Sequence, residues 1–559
     1  MAVLAVCLMM AGTALTSCDD YLTDDSQSHI TPENAYGSVS DLEKNALLNI
    51  YNYIGGNKTG EGLQGTERGV YDLNSFTTDE QIVPIRSSDW YDGGLWRDLF
   101  THNWSPGLAP LKNSWDYLYK VIISCNDGIK RIDAFKTDNV DEKKELNSYK
   151  SELRAIRAMY YFYLMDLFGR VAKVDTTTVK SSELTLEKRS DIFFWIYNEL
   201  SESMPGLAQA KSAINDTEYY GRMTQDVAYF VMMKLAINAE IYADDDWTDD
   251  VHPDGSKIIL PTYNILTSQN DNLNAWEAVN EIADKLSLAA YDLSKSYDSN
   301  FEEGNEVTHE KIFVIPMDSK LYSNKCTYFF RSRHYRHGDA LGEGGENGPC
   351  ATVSTMKTFG YDYDGDPDFD GRFSANFYAG EVMARHNTVY EDDGKTILYY
   401  HPLEVTSIDL SGNKYEKTAG ARYAKYSSLF SRSDGHWENN DIVLFRFADV
   451  LLMSAEANYR LGNTQEALKL VNRVYYRANN EENYYKEIND DVLLNERLKE
   501  FMWEGWRRND LIRFGRFHKA YDLKTEEYAE KEKDGHTIVF PIPADLMAMH
   551  PDWKQNPGY

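Results

Sequence analysis

Three carboxylates, Glu496, Glu500 and Glu504, stand at four-residue spacing in Glu496-Arg-Leu-Lys-Glu-Phe-Met-Trp-Glu-Gly505, ahead of Trp506-Arg-Arg-Asn-Asp510-Leu-Ile-Arg513. That spacing puts all three on one face of a helix. A pair of carboxylates can be the acid and base of a glycoside hydrolase. The same residues beside Arg497, Arg507, Arg508 and Arg513 build an ion-pair network that pins helices together. The structural network is the expectation here, and a tethered glycoside hydrolase using Glu496 or Glu500 is the alternative.

A second candidate is the stretch Tyr71–Trp104, where Asp72, Arg86, Asp89, Trp90, Trp96 and Trp104 interleave rings with charged groups. Sugar recognition needs this mixture: CH groups of a pyranose stack on a ring while hydroxyls pair with polar groups. The alternative is that Trp96 and Trp104 are buried as anchors of a long loop. A third candidate is Tyr361–Arg372, whose alternating carboxylates invite a Ca²⁺ reading at Asp362–Asp370. Pro367 stands where an EF-hand needs its turn glycine and Phe373 where it needs the bidentate Glu, so an acidic surface loop is favoured and no cofactor is expected. His334 and His337 sit among three arginines in residues 331–337, which disfavours a divalent metal and suggests a solvated or anion-facing loop. No Cys-x-x-Cys pair, Ser-His-Asp order, P-loop or dinucleotide fingerprint is present.

These candidates need a scaffold, and the periodicity supplies one. Phe447, Val450, Leu451, Ser454, Ala455, Asn458 and Leu461 recur at helical spacing from Asp441 onward. Gly462 stops that helix, and Thr464 is read as the N-cap of a second one carrying Ala467, Leu468, Val471 and Val474. Further helices are expected at Ser40–Tyr53, Asn113–Ile132, Tyr149–Gly169, Ser190–Met204, Thr224–Tyr242 and Ala275–Leu293. The expected fold is mostly α: a tetratricopeptide-like helical scaffold with an irregular, loop-rich half containing short β segments. An N-terminal helical part spans 36–300, with a pattern-free aromatic loop at 57–110. An irregular insertion follows at 301–440, with extended runs at Lys311–Ile315 and Thr396–Tyr400 and a helix near Thr352–Phe359. A C-terminal helical part closes the chain at 441–559.

A net charge of −31 opposes nucleic acid, and 40 Tyr with 11 Trp exceed what a core needs. Residues 1–17 read as a signal peptide, too short for a membrane span. Leu15-Thr-Ser-Cys18 is similar to a lipobox, making Cys18 the lipidation site at the head of an acidic tether, 18–35.

Taken in order, these motifs resemble the SusD/RagB-like family of outer-membrane glycan-binding lipoproteins. The matching stretches are Cys18-Asp-Asp-Tyr-Leu; Ser151 to Gly169; Gly221-Arg-Met-Thr; Phe445 to Glu456; Glu496 to Gly515; Pro541-Ile-Pro; and Gln555-Asn-Pro-Gly-Tyr559. Val171-Ala-Lys-Val departs from the family's usual Val-Pro-Leu. The resemblance implies no catalysis and a lipid anchor on the outward face of the outer membrane. It also implies a TonB-dependent, SusC-like transporter as partner, to which captured oligo- or polysaccharide is passed; a peptide-binding role in an analogous import system is the other alternative. The resemblance points to Asp72, Trp90 and Trp96 as sugar contacts, with Arg372, Tyr399 and Cys350 from the insertion placed by position.

Overall fold

The computed structural model describes residues 35–56, 58–64, 67–178, 180–214, 218–249, 251–318, 331–342, 344–362, 369–426 and 439–559. The signal segment, Cys18 and the acidic tether up to residue 34 lie outside these, as do residues 363–368 of the acidic loop. Among the described residues nine helices carry the architecture: α1 Ala109–Ala134, α2 Val140–Phe168, α3 Arg189–Ser203, α4 Gln225–Ile237, α5 Ala275–Leu288, α6 Phe447–Arg460, α7 Thr464–Asn479, α8 Asp490–Phe501 and α9 Arg507–Arg513. Their ends follow local chemistry. The Asn139 side chain accepts the Asp141 amide at 2.9 Å to start α2, and Gly169, at φ +66°, ends it. A reciprocal Asn274–Glu277 capping box opens α5.

Helices α1 and α2, joined by five residues, pack as a hairpin; α2 packs on α3, α4 on α5, α5 on α6 and α6 on α7. One continuous apolar core runs through them all. The chain is therefore mostly α, a tetratricopeptide-like scaffold, and the strands described form two-stranded pairs.

Four expectations are corrected. The helix expected from Asp441 begins at Phe447, because Ile442–Arg446 is a buried strand antiparallel to Lys311–Ile315 (Ile442↔Ile315, Arg446↔Lys311). An apolar run of four that opens with two β-branched residues is ambiguous until its partner is known, and this partner lies over a hundred residues away. The irregular segment 301–440 is thus stitched into the helical body through that ladder. Thr464 is the first helical residue and Asn463 holds the cap position, its side chain making no capping bond. The segment 57–110 contains two short buried helices, Val70–Ser75 and Leu95–Phe100. Finally, α6 is buried on all sides from Phe447 to Asn458, its acidic residues included.

Those buried acids belong to an ionic network. The Glu500 carboxylate accepts Arg372 at 2.8 Å, Arg446 at 2.5 Å and also Arg477. Glu496 shares Arg372, also at 2.8 Å, while Glu504 takes Arg446 and Lys425 at 2.8 and 2.7 Å. Glu310 bridges Arg446 and Arg477 at 2.9 and 2.7 Å. A second knot joins α4, α6, α8 and α9: Lys234 and Arg497 on Asp449, Arg497 and Arg513 on Asp510, Arg513 on Glu456. The expectation of a structural network holds, but its partners differ. Arg507 goes to Asp79, Arg508 to Asp166, and Arg497 and Arg513 to the second knot, so tertiary contacts rather than helical neighbours close the circuit.

Burial alone would raise the Glu500 pKa, yet Arg477, Arg446 and Arg372 outweigh it and hold the group well below the usual carboxylate range. Burial likewise opposes Arg497 and Arg513 at Asp510, and the guanidinium groups win, leaving a pKa of about 2. A folded-state pKa below the unfolded value stabilises above the unfolded value, and that stabilisation is lost as pH falls through the folded one. We therefore expect urea unfolding to show stability falling steadily from about pH 4 towards pH 2. Glu500→Gln at neutral pH should cost about 3–5 kcal/mol, because three buried guanidinium groups lose their shared anion. A cost under 1 kcal/mol, on the scale of an exposed pair, would show the network to be dispensable.

Candidate functional site

The loop from Arg86 to Gly94 is the most strained stretch of the aromatic segment. Ser87, Trp90 and Asp92 all have positive φ, with Trp90 at +64°. A bulky residue in the left-handed region costs on the order of 1–3 kcal/mol and persists only where its surroundings over-determine it. Here the surroundings do so. The Trp90 Nε1 donates to the Glu346 carbonyl at 2.7 Å, and its ring lies 5.6 Å from that of Trp96 at a 58° tilt. Gly348 underlies the indole so closely that a Cβ there would sit 2.3 Å from it. Tyr335 donates its hydroxyl to Asp89, and Arg68 meets Asp92 at 3.1 Å. Trp90 is half-buried and Tyr91 is 55 % exposed. The result is a fixed aromatic edge with Asp89, Asp92 and Glu346 around it. Desolvation, then the like charge of Glu67, raises the Glu346 carboxyl above its usual range.

The six residues expected to touch ligand do not all reach the surface. Trp90 does, and so does Tyr399, which pairs across strands with Glu381 and is 41 % exposed. Asp72 is fully buried: Arg331 grips it with two nitrogens at 2.8 and 3.2 Å, and the Arg68 amide adds a third bond. Trp96 is buried against Phe76, its Nε1 donating to Asp92 at 2.7 Å; Trp104 is buried as well and donates to the Tyr559 hydroxyl. The anchoring alternative therefore describes both tryptophans. Arg372 lies inside the ionic network, doubly bonded to Asp370 at 2.7 and 2.8 Å. Cys350 is buried in a strand pair with Ile82, 3.6 Å from Arg86. Asp72, Trp96, Arg372 and Cys350 are therefore buried side chains that hold the surrounding loops in place.

Arg372 and Lys499 also occupy Asp370, the end of the proposed Ca²⁺ stretch. Among the described residues no group of three or more His, Cys, Asp or Glu is arranged to hold a metal ion. The loop at His334 and His337 is not solvated: both rings are buried, and burial followed by the charge of Arg422 lowers the His334 pKa to about 4.

The residues that sequence reasoning missed are Glu346, Gly348, Tyr335 and Arg331. One signal was available. The run Gly342-Glu-Gly-Gly-Glu-Asn-Gly348 marks a place where another group approaches the backbone closely, and Trp90 is that group.

With this geometry in hand, comparison with known proteins is direct. The SusD family model matches residues 289–559. Starch-binding protein SusD of Bacteroides thetaiotaomicron is 24% identical over 524 residues, 89% of this chain and 87% of that one. The chain is SusD/RagB-like. A SusD superfamily structure from Bacteroides vulgatus superposes with a TM-score of 0.68 at 19% identity, covering 94% of this chain and 100% of its own. The surface glycan-binding protein A of Bacteroides thetaiotaomicron, solved with laminarihexaose, has a TM-score of 0.63 at 18% identity, covering 93% and 99%. These SusD-like relatives are named as binding proteins. In this SusD-like chain Glu500 is buried, and Arg477, Arg446 and Arg372 hold its pKa below the usual carboxylate range, the opposite of the raised pKa that a general acid needs.

The difference between anchor and edge is measurable. Trp96→Ala should cost about 3–5 kcal/mol of stability by emptying a core position. Trp90→Ala should cost only about 1 kcal/mol, as a half-exposed change does. Equal losses in urea titrations would mean that the Trp90 loop is part of the core.

Proposed function

We propose that this chain is a cell-surface glycan-binding lipoprotein that captures oligo- or polysaccharide at the Trp90 loop. In this reading it passes the sugar to a TonB-dependent, SusC-like transporter in the outer membrane, to which Cys18 tethers it by lipid. The observation that carries the reading is Trp90 itself: an indole held at a strained φ of +64° by Glu346, Gly348 and Trp96, with carboxylates beside it. Strain of this kind is retained where a ligand face must be ready-made, and a ready-made face spares the ordering cost of binding. Tyr399 is the second exposed candidate. Asp72, Trp96, Arg372 and Cys350 serve as positioning residues.

Supporting this, one structural neighbour is described as a laminarin-binding SusD-like protein and another was solved with laminarihexaose. No helix among the described residues is long and apolar enough to cross a membrane, which agrees with attachment through a lipid. The expected single helical face is not formed, since α8 ends at Phe501 and Glu504 lies beyond it. All three carboxylates, Glu496, Glu500 and Glu504, are taken up by cations, and in this reading the protein holds the glycan without cutting it.

Affinity electrophoresis in gels containing plant, microbial or host polysaccharides tests this. The wild type should be retarded by at least one of them, and Trp90→Ala should migrate freely while melting as the wild type does within about 1 kcal/mol. Undiminished retardation of the variant would move the site elsewhere. Capture of peptides with no glycan retained would favour the peptide-import reading.

A further inference from the structure

Five carboxylates crowd the loop from Arg86 to Gly94, and separate stretches of chain supply them. Asp89 and Asp92 flank Trp90 on the loop itself. Glu346 belongs to the segment whose carbonyl receives the Trp90 Nε1 at 2.7 Å. Glu67 is close enough to act on the Glu346 carboxyl as a like charge, and Glu416 accepts the Ser87 hydroxyl near the start of the loop. None of the five is buried: Asp92 and Glu346 are exposed, while Glu67, Asp89 and Glu416 are half-buried.

The cations around the loop are committed. Arg68 meets Asp92 at 3.1 Å and lies over the Trp96 ring. The Ser87 bond, the Gly412 amide and, more weakly, Lys417 hold the Glu416 carboxyl below its usual range. Arg97 turns to Asp98 and Arg336 to Asp392, each at 2.8 Å. Arg86 points inward onto the carbonyls of Glu416 and Ala419, and Arg331 is held by Asp72. Setting Arg68 against Asp92 and Lys417 against Glu416 leaves Glu67, Asp89 and Glu346 without an ion-pair partner among the described residues. Asp89 receives only the uncharged Tyr335 hydroxyl.

Negative charge at this edge is already unfavourable. Desolvation, then Glu67, raises the Glu346 carboxyl against the opposing pull of Arg331 and Arg68. An anionic group on a sugar stacked against Trp90 would lie within the roughly 8 Å over which charges act at physiological ionic strength. The net charge of −31 acts on an approaching polyanion in the same sense.

We infer that the Trp90 edge takes uncharged glycans and turns away those carrying uronate or sulfate groups, with Glu67, Asp89 and Glu346 as the discriminating residues. This rests on the reading of that edge as glycan-binding. Carboxylates accept hydrogen bonds from sugar hydroxyls, so the groups that repel an anionic sugar can hold a neutral one. Specificity of this kind comes from a like charge set against the wrong ligand rather than from a tighter fit to the right one.

The test uses the whole protein in titration calorimetry, with laminarin, inulin, pullulan and yeast mannan as neutral probes. Lightly sulfated and 6-carboxyl-oxidised derivatives of whichever is bound follow. At low salt, wild type should bind the neutral polymer about tenfold more tightly than either derivative, and the gap should narrow at about 0.3 M salt, which screens repulsion. A gap due to the bulk of the added groups would not move with salt. Glu67→Gln/Glu346→Gln should bind the sulfated derivative severalfold more tightly than wild type does. Glu67→Lys serves as a second variant should the first melt early, and should shift binding in the same direction. Equal affinity of wild type for the neutral and anionic forms, a gap unmoved by salt, or a gap unmoved in both variants would overturn the selection and leave the Trp90 reading standing. No neutral probe bound, or the neutral probe retained by Trp90→Ala, would overturn that reading and this inference with it.

Discussion

The Glu500 carboxylate, receiving Arg372, Arg446 and Arg477 in the interior, is the interaction on which the rest depends. Each guanidinium comes from a different part of the chain: Arg372 from the irregular segment, Arg446 from the end of the strand Ile442–Arg446, Arg477 from α7. Taking four charges out of water is expensive, and the cost is offset only when every lone pair and proton finds a partner. Glu310, Glu496 and Glu504 supply further oxygens to the same cations, leaving the Arg477 Nε as the one guanidinium nitrogen of the three arginines without a hydrogen-bond partner. The chain carries 89 acidic against 58 basic residues, yet at its centre the two signs are matched one against another, which leaves the acidic excess to the exterior. A network so costly to break also specifies register: none of its arms can slip without stranding a buried charge.

The same logic recurs beneath the candidate site on a smaller scale. Asp72 and Arg331, both fully buried, bolt the short helix Val70–Ser75 to the irregular segment. Arg86 is held by the carbonyls of Glu416 and Ala419, and Arg422 by those of Gly348 and Pro349. The loops that converge on Trp90 are thus fixed from behind by guanidinium groups, leaving ring edges and carboxylates in front. Scaffold and proposed ligand surface are chemically separate, and that separation explains how a strained tryptophan can be maintained at a position where its ring is half-open to water.

Much of this was legible in the sequence, and the omissions have a common cause. Helical period, caps and glycine stops are local, so α1, α3, α4 and the start of α7 stood out to within a few residues, whereas α2 begins nine residues before the expected Tyr149 and α6 six residues after Asp441. The ion-pair character of Glu496–Glu500–Glu504 was also legible, since arginines were in reach. Which arginines was not: Arg372, Arg446 and Arg477 are joined to them by the fold, while the neighbouring Arg497, Arg507, Arg508 and Arg513 look the other way. Asp72, Trp96, Arg372 and Cys350 show the same limit from the opposite side. Aspartate, tryptophan and arginine suit both a sugar and a buried bolt, and only burial tells the two apart. Trp90 was legible by type, but its left-handed backbone required seeing Glu346 and Gly348 close over it, more than 250 residues along the chain.

The central claim is that the buried ionic scaffold positions a ligand edge at Trp90 and never meets the ligand. The most direct measurement is a crystal structure of the protein with an oligosaccharide that it retains in affinity electrophoresis. The account predicts a sugar ring against the Trp90 indole, with Glu496, Glu500 and Glu504 still bonded to their arginines and lysine. Sugar density beside any of those three carboxylates, or a bound chain that leaves Trp90 untouched, would contradict it.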